Sequence, residues 1–384
     1  MRGFARVLTV VAGVSCVAAQ GRDAYMGSLN DPAIAYETGP LNDVVTRLNE
    51  QVASGSTRLA FDGVRGYLPA VLRALAVPVE SQVAVYSQTS LQAPLISAHN
   101  PRTVYFNDHV AVGFVPGGDV LEIAAQDPVR GVIFYRLAQN EQSTPRFERS
   151  RECLRCHIAW ETFAVPGFTV LSTGPDDAAG YATGGAVDDT DRIATRWGGW
   201  YVTGPKIPKP NLGTAVSAAP WLADRIDVGK YPTPHSDVVA LMVLEHQARA
   251  MNFITYLGWE TRAGVNDARI DAIARELVSY FTFADEAPLP APVQGSSAFA
   301  SRFTAEGRRD SKGRSLRDLE LSHRLMRYRC SYMIDTAAFD ALPERAKTAV
   351  VDRLVPALRE RDPAALEILK ETKPELFKSQ SGQD

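Results

Sequence analysis

Cysteine is scarce. The 384-residue chain has four, at positions 16, 153, 156 and 330. That is too few for the disulfide frameworks that replace a core in small secreted domains. Histidine is nearly as rare, with six. No second C-x-x-C and no H-x-x-x-H occurs, so no neighbouring motif supplies the further ligands of a structural zinc. An excess of one charge is also lacking. The net charge of −3 creates no global field that would favour nucleic acid. Beyond the first twenty residues, long apolar runs are missing. The longest, Val238 to Leu244, stops at Glu245, far short of the roughly 20 residues that cross a bilayer, so no membrane span is expected in the mature chain. No internal repeat is visible. The chain is 45% hydrophobic and 22% charged, enough for a sizeable core in two domains or one large one.

One pentapeptide concentrates the scarce residues. Cys153-Leu154-Arg155-Cys156-His157 reads C-x-x-C-H, the attachment pattern for a c-type haem. Cysteines three apart lie about one helical turn apart, so both sulfurs reach the two vinyl groups on one porphyrin edge. The histidine that follows serves as proximal iron ligand. A zinc half-site, a redox dithiol and coincidence remain as alternatives.

The N-terminus reads as an export signal, residues 1–19. Arg2 and Arg6 form a charged start, Val7 to Val14 is mostly apolar, and Val17-Ala18-Ala19 offers small residues before Gln20. Bacterial c-type haem is attached outside the cytoplasm, so a periplasmic location suits the motif. Cys16 raises a lipoprotein alternative, disfavoured because Gly13 stands where an aliphatic residue is usual. With Cys16 removed and two cysteines on haem, Cys330 has no disulfide partner and reads as a small buried hydrophobe.

The expected fold class is α+β. Helices are expected over Leu41–Val52 and Tyr67–Leu75. Residues 80–140 alternate as strands, giving a small, mainly antiparallel sheet packed on those helices. The chain then divides into an N-terminal region (20–144), an irregular and helical haem-binding region (145–284), a Pro-rich connector (285–297) and a helical C-terminal region (298–384), all expected to fold as one integrated unit. Ser236 is the expected cap of a helix running to about Tyr256. The basic cluster Arg308, Arg309, Lys312, Arg314 and Arg317 reads as a solvated loop, or as a docking patch for an acidic redox partner.

Further site candidates follow from the haem reading. The glycine-rich aromatic stretch containing Arg196 and Trp197 suits a chain wrapping a flat apolar cofactor, with Arg196 on a propionate. For the sixth iron ligand the choice is His246, mid-helix on an apolar face, with Met242 one turn earlier. His99, His109, His235 and His323 are less suited: three lie in turns or at a helix start, and His323 in a charged segment.

CLRCH resembles the haem site of c-type cytochromes, which transfer electrons through one covalently held haem. Small cytochromes c carry the motif near the mature N-terminus; here more than 130 residues precede it. Longer stretches resemble a family of exported single-haem proteins of environmental bacteria with no established reaction: FNDHVAVGFVPGG (106–118), RWGGWYVTG (196–204), PHSDVVALMVLEHQ (234–247) and SYMIDTAAFDALP (331–343). Relatives of that kind often carry His-Met-Gly-Asn where this chain has Asn211-Leu212-Gly213-Thr214, so any role of that histidine is absent here. The resemblance implies electron transfer with a redox partner protein. A haem enzyme of the peroxidase or oxygenase type, with an open distal side, is the alternative, because a simple carrier does not need this length. A haem-based sensor is a third reading.

Overall fold

The computed structural model describes residues 28–174 and 184–377; the expected export signal lies outside them. Alternating apolar residues build a run of strands: β1 (Val83–Val85), β2 (Arg102–Phe106), β3 (Val110–Phe114), β4 (Val120–Asp127), β5 (Gly131–Ala138) and β6 (Glu148–Arg149). Each pairs antiparallel with the next. Local side-chain bonds close the turns. Asn107 Oδ1 accepts from the amides of His109 (2.9 Å) and Val110 (3.1 Å). Asp127 Oδ1 accepts from Val129 and Arg130 before Gly131, which takes a left-handed φ of 82°. A separate hairpin joins β7 (Val170–Thr173) and β8 (Gly184–Val187).

The expectation of a small antiparallel sheet is corrected by three further strands, β6 at one edge and two at the other. β9 (Trp200–Thr203) pairs antiparallel with β1, and β10 (Thr214–Val216) pairs parallel with β9. The sheet is therefore mixed and eight-stranded, in the order β10-β9-β1-β2-β3-β4-β5-β6. β9 starts in the stretch expected to wrap the cofactor, and β10 lies further along the same region, expected to be irregular and helical. They are only four and three residues long, too short for alternation to stand out.

The pleat sends alternate side chains to two layers. Tyr105, Val112, Ile123 and Tyr135 face α1 (Val44–Ala53) and α2 (Leu68–Ala74) in one apolar cluster. Val83, Val85, Phe106, Trp200 and Val202 face the other way. The short α3 (Leu154–His157) follows the edge strand β6. That second layer is organised by α4 (Val238–Arg262), which is buried on nearly all sides, as befits a helix through the middle of a large core. Its cap is Asp237, whose Oδ1 accepts from Val239 (2.8 Å) and Ala240 (3.0 Å). Ser236, the expected cap, instead donates to the Tyr201 carbonyl at 2.6 Å and ties the helix start to β9. Around α4 lie α5 (Asp267–Phe281), α6 (Phe299–Ala305), α7 (Ala337–Asp340), α8 (Glu344–Arg361) and α9 (Pro363–Thr372). None of the described helices is long and apolar enough to cross a membrane.

Sheet face and C-terminal helices share one cluster that runs from Val83 to Leu376. Residues 285–297 are not a free linker. Ala287 donates to Asp189, Leu289 to His323, Val293 to Leu321 and Gln294 to Lys206. The basic cluster is neutralised in place: Arg308 pairs with Asp335, Arg309 with Asp318, Lys312 with Glu367, Arg314 with Asp310 and Arg317 with Asp108. Limited proteolysis is accordingly expected to release no stable haem-carrying fragment of about a hundred residues, the size of a small domain. The Pro-rich connector 285–297, whose composition marks it as the best cutting site, should instead resist cutting because its amides are bonded to other segments. A folded fragment of that size with native absorbance would contradict this arrangement.

Candidate haem site

The C-x-x-C-H segment leaves the sheet at its edge. After β6, the Ser150 amide still donates to Phe134 on β5 (2.8 Å). The chain then turns into α3, where Cys153 O accepts from the amides of Cys156 (3.2 Å) and His157 (3.0 Å). This single turn sets the two cysteines one above the other. Leu154 and Ile158 anchor it by packing into the N-terminal apolar cluster. Cys153 is half-buried and Cys156 exposed.

His157 is held at one nitrogen. Its Nδ1 lies 2.8 Å from the carbonyl of Gly167, which can only accept, so Nδ1 carries the proton and Nε2 keeps a free lone pair. A backbone carbonyl on the far ring nitrogen is the usual support for a metal-bound histidine. The ring packs on Phe134, centroid to centroid 4.5 Å. Burial pushes the imidazole down to about 4, against the Gly167 carbonyl, so it is neutral near pH 7. Gly167 is fixed in turn from α4. Asn252 accepts from the Phe168 amide and donates to the Phe168 carbonyl. A Cβ on Gly167 would come within 2.1 Å of Asn252 Oδ1, so only glycine fits there. Neither Gly167 nor Asn252 nor Phe134 stood out in the sequence, because their role depends on contacts far apart along the chain.

Beside Phe134, the same sheet face carries small side chains. Ala124 lies directly opposite Phe134, Ala111 opposite Ala124, and Gly113 opposite Glu122. Val104, Glu122 and Ala124 are only half-buried although they sit in central strands. Their neighbours on the opposite face, Tyr105, Leu121 and Ala125, are fully buried. A low, small-residue floor next to a histidine with a free Nε2 suits a flat apolar group, and the residues present fit a covalent haem.

The other expected site residues lie elsewhere. Arg196 is 2% exposed, and its guanidinium is consumed by Glu245 (3.2 Å) and by the Asp191 carbonyl (2.9 and 2.5 Å). A propionate has no access to it, so that assignment is corrected. Trp197 is fully buried in the α4 core, not on a cofactor surface. His246 has both ring nitrogens engaged: Nδ1 lies 2.9 Å from Asp189 Oδ2, and Nε2 lies 2.7 Å from Ser331 Oγ. It stacks between Tyr280 and Phe283. Thr255, nine residues on, bonds Gln126 by the β4–β5 turn, and about 2.5 turns put it on the opposite side of α4 from His246. His246 therefore offers iron no free nitrogen here. Met242 is likewise in the α4 core. Of the remaining histidines, His99 contacts the Arg225 carbonyl, His235 packs on Trp221, His323 adjoins Glu320, and His109 is exposed. Replacing His246 by alanine is expected to cost about 3 kcal/mol, from stranding buried Asp189 and Ser331, and to leave the visible spectrum of the loaded protein unchanged. Denaturant titration and absorbance check both parts.

Among the described residues no three His, Cys, Asp or Glu side chains converge to hold a metal ion. A reactive dithiol needs a depressed thiol, whereas burial pushes Cys153 up. Cys330 is completely buried in the core, as its unpaired position implied. No family model, curated protein or solved structure matches this chain.

Proposed function

We propose that the chain is an exported c-type cytochrome: one haem is held by Cys153 and Cys156, His157 is the proximal ligand, and electrons pass through the iron. The supporting observation is a neutral His157 with Nδ1 anchored on Gly167 and Nε2 free, in the same turn as two cysteines. Bound haem supplies an iron that alternates between ferrous and ferric. The chain's own work is attachment and tuning. Cys153 and Cys156 would hold the porphyrin through thioethers, each thiol supplying its sulfur and its proton to one vinyl group, with no oxidant needed. The Gly167 carbonyl fixes the imidazole and strengthens it as a donor. Phe134 packs against the imidazole ring. This function implies a protein partner that gives or takes electrons in the periplasm.

A second reading, a haem enzyme with an open distal side, is favoured by one observation: His246, the expected sixth ligand, is bonded at both nitrogens. Absorbance of the purified protein with and without carbon monoxide separates the two. A low-spin spectrum unmoved by carbon monoxide supports electron transfer. A high-spin spectrum that shifts with it supports the enzyme.

A further inference from the structure

Resting on the haem reading, we propose that Arg102 binds an anionic group at the haem, either a propionate or a small exogenous anion. Three observations carry the assignment. First, the guanidinium lies across Gly113 of β3. A Cβ there would stand 2.6 Å from Arg102 Nη2, so the strand leaves this position bare for it. Second, Nη2 is paired with Glu122 Oε2 at 2.7 Å, and Glu122 is steadied in turn by Ser90 at 3.0 Å. Arg102 is thereby oriented, yet its buried Nε has no partner among the described residues. An orphan buried donor calls for a group outside the polypeptide. Third, Arg102 and Glu122 lie on the half-buried sheet face that leads to His157: Glu122 is two residues along β4 from Ala124, Ala124 lies opposite Phe134, and Phe134 packs on the His157 ring. A planar guanidinium with one arm fixed and a side chain still 26% exposed suits an anion that accepts a hydrogen bond. It takes the place that Arg196 cannot.

The test uses the full-length, haem-loaded protein, the variant Arg102→Leu and the double variant R102L/E122Q. The double variant avoids an unpaired Glu122 and leaves the net charge of the pair at zero. An effect that survives in it reports a lost hydrogen-bond donor and not a lost charge. If the group is a propionate, the ferric form gains about tenfold over the ferrous form and the midpoint potential falls by about 59 mV, with azide affinity unchanged. If the group is an exogenous anion, the azide dissociation constant rises at least tenfold, with the potential unchanged. Arg102→Lys should restore either property only in part, since it keeps the charge without the fork. Unchanged potential and unchanged azide affinity in the double variant, with haem attached, would overturn this assignment alone. A wild-type protein that carries no haem would overturn it together with the function it rests on.

Discussion

Cys153→Ala and Cys156→Ala proteins, matured alongside the wild type, are each expected to hold haem by at most one thioether, and the double variant to retain essentially none after denaturation. The cause is geometric. Cys156 is exposed and Cys153 half-buried in one helical turn, and no described cysteine other than buried Cys330 is available to substitute. His157→Ala should behave differently. Both sulfurs remain, so haem is still retained under denaturing conditions, but the nitrogen anchored through Gly167 is gone and the native spectrum changes. Haem-stained denaturing gels and absorbance separate these outcomes. Equal retention in the double variant and the wild type would show that the motif does not attach the cofactor.

Arg196→Ala is expected to be among the most destabilising single changes, about 3–5 kcal/mol, with haem attachment and spectrum preserved in the fraction that folds. The side chain is buried against Glu245, which is fully buried, and it also holds the Asp191 carbonyl. Its removal leaves the buried Glu245 carboxyl and the Asp191 carbonyl without their partner. Burial, opposed by Arg196, already pushes the Glu245 carboxyl up to about 7 from an ordinary value of 4.5. The folded state therefore binds this proton more tightly than the unfolded state. Its contribution is full below about pH 4.5 and is lost as the pH rises through about 7. Without Arg196 the carboxyl is held up further, so the variant should go on losing stability above pH 7, where the wild type levels off, in denaturant titrations. His157 works in the opposite sense, since burial lowers it to about 4, so each variant is compared with wild type at the same pH. An Arg196→Ala protein of wild-type stability that has lost its spectrum would put Arg196 back at the cofactor.

The meander from β2 to β5 was legible because each strand alternates over five to eight residues. β6, β9 and β10 were not, because strands of two to four residues carry almost no period. Trp200-Tyr201 looked like an aromatic lining for a cofactor and instead opens β9, paired with β1. The attachment residues were legible because their spacing is set by covalent chemistry. His246 was not, since a histidine on the apolar face of a helix has the same local sequence whether it meets iron or, as here, Asp189 and Ser331. Arg102 was invisible for a related reason: its meaning comes from Gly113 and Glu122 on two other strands.

The most direct measurement is the intact mass of the mature protein after expression with a cytochrome c maturation system and full denaturation. One haem added per chain is the expected result, lost when Cys153 and Cys156 are both replaced. A wild-type mass equal to the bare polypeptide would contradict the central claim.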